Sequence, residues 1–587
     1  MSKARDLADL LDSSGDVKAA KLDNVLEINT TATSNLGLGT NAVDSITTGD
    51  YNVGVGDYTL TTNTTGSSNT ASGMSSLRYN TTGSNNTASG FQSLYANTTG
   101  SNNVASGRDA LGSNTTGSDN VASGYQALLY NTTGSNNTAS GYAALYFNTT
   151  GINNTASGYY PLKYNTTGSN NTASGYESLY YNTTGNNNTA SGYQSLYSNT
   201  TGASNVASGY QSLRANTTGS DNIAVGAYAL YLNTTGYSNT ATGRTALYYN
   251  TTGYSNTASG RDALHKNTTG SENTANGRKA LYSNTTGSYN TANGSIALYS
   301  NTTGSNNTTT GQQALYSNTT GYSNTASGKS ALYYNTTGSN NTSSGYEALV
   351  YNTTGNYNVA NGGYVLHKNT TGYNNTGSGY YSLMNNTTGF QNTALGKAAG
   401  DNITTGSSNI IIGANVDAPS ATGSNQLNIG NNLYGDGKRL WVAGNNNSST
   451  WHYDITGTAM AIGNTSNQYL QIKTNISTTT ANKMFDISFL GRTHYSPDYV
   501  DCGINGYAYA NASTLFYDTW NGSRNTQGGV VDAYRSTSGY VCFTISVPQS
   551  FDQAVIQCFL SGGGSGGYGM KIELLQWTTL SSNYHYL

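Results

Sequence analysis

The chain has 587 residues, of which 72 are Gly and only 9% are charged. An ordinary soluble domain carries roughly 25% charged and 45–50% apolar residues, so the 35% hydrophobic content here excludes a series of large apolar cores. A formal net charge of −3 argues against nucleic-acid binding, which needs clustered Lys and Arg, and the lack of any 18-residue apolar run argues against membrane insertion.

Residues 1–28 come first. Ala4, Leu7, Ala8 and Leu11 fall at helical spacing and Ser13-Ser14-Gly15 ends the pattern, so a short N-terminal helix is expected, as an attachment segment or as a cap. Met1-Ser2-Lys3-Ala4-Arg5-Asp6-Leu7 lacks the apolar stretch of a secretory signal.

Residues 29–430 are a seventeen-residue repeat. Asn-Thr-Thr-Gly recurs with its Asn at 63, 80, 97 and onward to 386, which is 20 copies without an insertion. A Gly runs on the same period from Gly39 to Gly430, and a Leu from Leu60 to Leu383. One unit reads Asn80-Thr81-Thr82-Gly83-Ser84-Asn85-Asn86-Thr87-Ala88-Ser89-Gly90-Phe91-Gln92-Ser93-Leu94-Tyr95-Ala96. Seventeen residues rich in Thr, Asn, Ser and Gly suit short strands and turns better than helices. The expectation is a β-solenoid shaft (a β-roll or β-helix) with one coil per repeat. Each coil would hold two strands, Asn86–Gly90 and Gln92–Tyr95, and an Asn97-Thr98-Thr99-Gly100 turn. Stacked coils place identical residues about 4.8 Å apart. Asn86, Asn188 and their register-mates then form an asparagine ladder, Leu94 and Leu196 belong to the main apolar column, and Gly90 and Gly192 to the turn glycines.

Thr87 and Ser89 exchange with Val, Ile or Leu in other copies, as at Ile223-Ala224-Val225, which suggests an enclosed or inter-chain face. About one large apolar side chain per coil buries little surface, so a parallel homotrimer sharing a core is expected. Tyr125, Tyr142, Tyr159, Tyr176, Tyr193 and Tyr210 follow the repeat Gly in six consecutive copies and predict a tyrosine stripe. It suits contact with a sugar or a protein, or simply stacking that stiffens the shaft.

Beyond the repeat, residues 431–480 read as a β neck. Residues 481–587 read as a C-terminal β-sandwich-like tip, with strand-like runs such as Val541–Val547 separated by Gly and Ser. Tyr517, Trp520, Tyr534, Tyr540 and Tyr568 lie among Gly, Asn and Ser, a composition like that of binding loops. The three cysteines, Cys502, Cys542 and Cys558, have no disulfide or metal pattern, and the five histidines have no metal-ligand spacing. No catalytic residues, cofactor or metal are therefore assigned. Asp109 or Asp262 meeting across subunits for glycoside cleavage is the one acid–base arrangement to weigh, against a plain solvated charge. The Gly-rich Gly562–Gly569 lacks the Lys and Ser/Thr of a phosphate loop.

Three passages resemble tail-fibre and adhesin-type proteins of tailed phages of aquatic bacteria. They are the leader Met1–Asp12 with Gly15-Asp16-Val17, the repeats as at Asn188–Leu196, and the closing segment Ala414–Gly430. The repeats are also distantly similar to the head repeats of trimeric autotransporter adhesins. The resemblance implies a non-enzymatic, virion-associated or extracellular fibre. Its N-terminus would engage a virion tail or baseplate protein, and its tip a host cell-surface glycan or protein. Two alternatives stand beside it: a subunit of an extracellular structural filament, and an ice-binding solenoid using its Thr-x-Ser ladders. The Val, Ile and Leu replacements count against an exposed Thr face.

Overall fold

The structure, a computed structural model, describes residues 34–436 and, beyond them, the backbone of the strands between 440 and 577. The N-terminal helix expected over 1–28 lies outside the described residues. Two units divide the chain, the first ending at Gly389 and the second beginning at Phe390.

In the first unit, strands of three residues repeat at the seventeen-residue period, from β1 (Leu36–Leu38) to β21 (Thr376–Ser378). Each pairs in parallel with the next, and every residue faces its counterpart one repeat on, as Thr189 faces Val206 and Ala190 faces Ala207. This is an all-β, parallel solenoid with one coil per repeat. Side chains alternate across a strand. In Thr87-Ala88-Ser89 the Ala is buried and its two neighbours are exposed. Ala88, Asn80, Asn86, Ser93 and Leu94 are all at most 1% exposed, so each coil encloses its own small core.

Only one of the two strands expected per coil forms. Gln92–Tyr95 is a turn, because Gln92 and Leu94 adopt left-handed backbone angles (φ 53° and 51°) that no strand contains. The segment still bonds to both neighbouring coils. The Gln92 amide donates to the Met74 carbonyl at 3.1 Å, and the Leu94 amide to the Ala110 carbonyl at 2.9 Å. A left-handed L-residue costs about 1–2 kcal/mol, and these ladder bonds offset it.

The Leu column is the main apolar column, as expected, and it closes within one chain. All its members from Leu60 to Leu383, Leu94 and Leu196 among them, are 0% exposed within a single chain. Leu therefore closes the core of its own coil and is not an apolar surface awaiting a partner. The first and third strand positions, expected on an enclosed or inter-chain face, face outward within the single chain, with Val104 and Ile223 each 41% exposed.

In the second unit, β22 (Thr393–Leu395), β23 (Ile410–Ile412) and β24 (Leu427–Ile429) continue the parallel pairing. The pattern then reverses. β25 (Leu433–Gly435) folds back antiparallel on β24, and β26 (Leu440–Val442) antiparallel on β25. A reversed hairpin covers the last parallel edge, which would otherwise present unpaired amides. Two further sheets come after it in the chain. A four-stranded antiparallel meander runs through β28 (Gln471–Thr479), β29 (Asn482–Arg492), β30 (Tyr499–Tyr509) and β31 (Phe516–Ser523). A five-stranded sheet places β27 (Tyr453–Asp454) beside β35 (Gly569–Trp577), followed by β34 (Phe551–Ser561), β33 (Val541–Val547) and β32 (Val530–Arg535).

Candidate functional site

The surfaces of the coil stack are positioned by two buried asparagine ladders. The Asn86 side-chain amide donates to Asn69 Oδ1 at 3.0 Å and to the Gly100 carbonyl at 2.9 Å, while its own Oδ1 accepts from the backbone and side-chain amides of Asn103. Asn188 repeats this arrangement. This is the ladder expected from the sequence, where the other Asn column reads as a turn signal alone. That second column, through Asn80 and Asn97, is equally buried, with Asn97 Nδ2 donating to Asn80 Oδ1 at 2.7 Å and to Gly100 O at 2.9 Å. Both ladders thus meet on the carbonyl of the same glycine. A Cβ on Gly100 would sit 2.5 Å from Asn97 Oδ1, and one on Gly90, at φ 138°, would sit 2.5 Å from the Gly107 carbonyl oxygen. Those two positions in each coil must be glycine.

Outside this frame lie two surfaces of different chemistry. The first is the strand face. Its first and third positions hold Thr, Ser, Val, Ile, Leu or Asn throughout β1–β21, with no charged residue. The hydroxyls of Thr87 and Ser89 carry no intramolecular bond among the described residues. The Thr81 column differs, its hydroxyl donating to the Thr98 carbonyl at 2.9 Å. One threonine column is thus tied into the backbone and the other is open.

The second surface is aromatic. Tyr125, Tyr142, Tyr159, Tyr176, Tyr193 and Tyr210 stack with ring centroids 5.0–5.2 Å apart and planes within 18°. They are 36–46% exposed. Two companion columns go beyond the stripe expected from the sequence. At the position after the Leu, Tyr231, Tyr248, His265, Tyr282, Tyr299, Tyr316 and Tyr333 stack at 4.9–5.3 Å. One residue further, Tyr130, Phe147, Tyr164 and Tyr181 do the same at 5.2–5.4 Å. Counting the same seventeen-residue step from the Leu would have found both. Edge-to-face contacts join the columns into one surface, Tyr142 to Tyr160, Tyr160 to Tyr180 and Tyr180 to Tyr164. Burial, followed by hydrogen bonding to a neighbouring tyrosine, pushes Tyr146 and Tyr197 up to about 12, and Tyr160 and Tyr180 are also raised, chiefly by burial.

Asp109 and Asp262 each lie beside the adjacent arginine, Arg108 and Arg261, at 3.4 Å. They sit at the same column position nine coils apart, so within one chain they do not face each other as an acid–base pair. Among the described residues no group of three His, Cys, Asp or Glu is arranged to hold a metal ion. Tyr517 and Trp520 belong to β31 and Tyr534 to β32. Their side chains, and Tyr540 and Tyr568 altogether, lie outside the described residues. Compared with known family profiles, curated proteins and solved structures, the chain matches none.

Proposed function

We propose that the chain is a non-enzymatic fibre subunit, a virion-associated tail fibre or extracellular adhesin, whose solenoid spaces and presents the C-terminal sheets. In this reading three parallel copies associate, the N-terminal segment attaches to a virion tail or baseplate protein, and the C-terminal end contacts a host cell-surface glycan or protein. The observation that carries the self-association is the uncharged, outward strand face. Three-residue strands span about 10 Å, and twenty-one of them at ~4.8 Å spacing present roughly 1,000 Å². A standard two-chain interface buries about 800 Å² on each chain, so the face has the area of one such interface, divided in a trimer between two neighbours. Sedimentation of the full chain tests this. A particle of three times the 61.4 kDa chain mass is expected, falling to one chain when Ser174→Lys, Ser191→Lys and Ser208→Lys place charge on the face. Open-ended polymers would favour the structural filament.

The exposed, unbonded hydroxyls of the Thr column favour one further reading, ice binding, in place of the enclosed or inter-chain face expected from the Val and Ile exchanges. A monomer that produces thermal hysteresis, lost in the same triple-lysine variant, would replace the trimeric fibre.

A further inference from the structure

Charge is sorted around the coil. Between residues 78 and 368 there are eleven Lys and Arg. Every one occupies one of the two positions after the repeat Gly or the two after the Leu, the four columns that make up the aromatic surface. Seven acids lie in the same span, and three of them, Asp119, Asp221 and Glu272, sit in the turn that precedes the strand. The other four are on the aromatic surface and are already engaged. Asp109 and Asp262 lie beside their arginines, Glu347 is 3.2 Å from His367 Nε2, and Glu177 accepts from Gln194 at 2.8 Å. Several cations lie over rings, Lys163 at 4.2 Å from the Tyr160 centroid and Arg214 at 5.1 Å from that of Tyr197. Cations held this way are pre-positioned and keep donors open to an external anion.

The surface thus combines stacked, partly exposed rings at about 5 Å intervals with a surplus of seven positive charges. Those charges spread over about 17 coils, or roughly 80 Å at ~4.8 Å each, giving one net charge per ~12 Å. A nucleic-acid strand carries a phosphate every ~3.4 Å, far denser than this surface matches. A sparsely charged anionic chain with apolar ring faces fits better. We propose that this surface binds an acidic polysaccharide lying along the coils, its carboxylates or sulfates on the Lys and Arg side chains and its sugar rings on the tyrosine ladders. Each contact is weak, and the repeat supplies affinity through many of them. The surface uses columns other than the strand face, so binding does not depend on the trimer or on what the C-terminal sheets contact.

Biolayer interferometry of the full chain tests the proposal, with hyaluronate (a carboxylate once per disaccharide), κ-carrageenan (a sulfate once per disaccharide), neutral dextran and poly(dT) as immobilised probes. Binding to hyaluronate or κ-carrageenan is expected, the tighter of the two naming the anion. It should weaken about tenfold or more between 50 and 500 mM salt, and dextran should bind at least about tenfold more weakly. The Arg278→Glu, Lys279→Glu double variant should weaken binding several-fold. Tyr282→Ala with Tyr299→Ala should do so while leaving the salt dependence intact, and Glu272→Gln, on the far turn, should change nothing. Circular dichroism of each variant reports that it is folded. Equal binding to dextran, tighter binding to poly(dT), no binding to either acidic probe, or folded variants that bind like the parent would each overturn it. Sedimentation in the same buffer reads the oligomer separately, so loss of the trimer and loss of glycan binding are distinguishable.

Discussion

A fully buried side-chain amide is costly unless each of its polar groups has a partner. Asn188 meets that condition only because its neighbours one repeat away are also Asn. Its two amide hydrogens go to Asn171 Oδ1 and the Gly202 carbonyl, and its oxygen receives both amides of Asn205. Asn188→Leu therefore orphans groups on both sides, at about 1–3 kcal/mol each, although the replacement is more apolar. Hydrogen exchange should show the Asn205 amide losing protection by at least tenfold while coils far from the site are unaffected. Unchanged protection at Asn205 would mean that the ladder contributes nothing net. Asn188→Asp should be worse, since a carboxylate keeps the acceptor and brings a buried charge without the two donated bonds.

At the scale of the element, the coil is legible in the sequence where it repeats and illegible where its backbone is unusual. The period, the parallel stacking, the Asn86 ladder and the Tyr125–Tyr210 stripe emerge from counting identical residues seventeen apart. Gln92-Ser93-Leu94-Tyr95 buries two adjacent side chains, Ser93 and Leu94, and nothing in its residue types announces left-handed angles at Gln92 and Leu94. The inter-coil bonds that hold those angles exist only once the stack has formed. Likewise the burial of Leu within one coil depends on how tightly the turns close, which composition does not reveal. The ring columns bring a pH dependence. A tyrosine ordinarily titrates near 10, and Tyr146 and Tyr197 are pushed up to about 12, mainly by burial. At pH 11 the folded chain keeps protons that the unfolded chain has lost. This contribution to stability is complete below pH ~10 and is lost as pH rises through ~10 to 12. The melting temperature should be flat below pH ~9.5 and then fall, and Tyr197→Phe, which cannot ionise, should fall less steeply. A profile unchanged by that substitution would rule out Tyr197 as the titrating group.

At the scale of the whole molecule, the energetics stem from each coil touching only its two neighbours. In such a stack stability is close to a sum of coil and interface terms, so one coil is dispensable and register is not. Deletion of residues 189–205 removes one period and joins Asn188 to Val206, leaving Asn, Gly and Leu in every ladder position. Melting within a few degrees of the parent is expected, with the tyrosine stripe one ring shorter. Deletion of Ser204 alone removes far less material and does far more. The buried amide of Asn205 can no longer lie in register with those of Asn188 and Asn222, and the inward and outward positions of the strand exchange in the following coil. Either the shortened chain stretches across the gap and gives up ladder bonds there, or the core position of Ala207 receives a residue meant for solvent. Limited proteolysis should cut the Ser204 deletion within that coil and leave the seventeen-residue deletion intact. If both deletions resisted protease equally, the coils would be held by something other than their ladders, and the glycine and asparagine columns would be incidental to the fold.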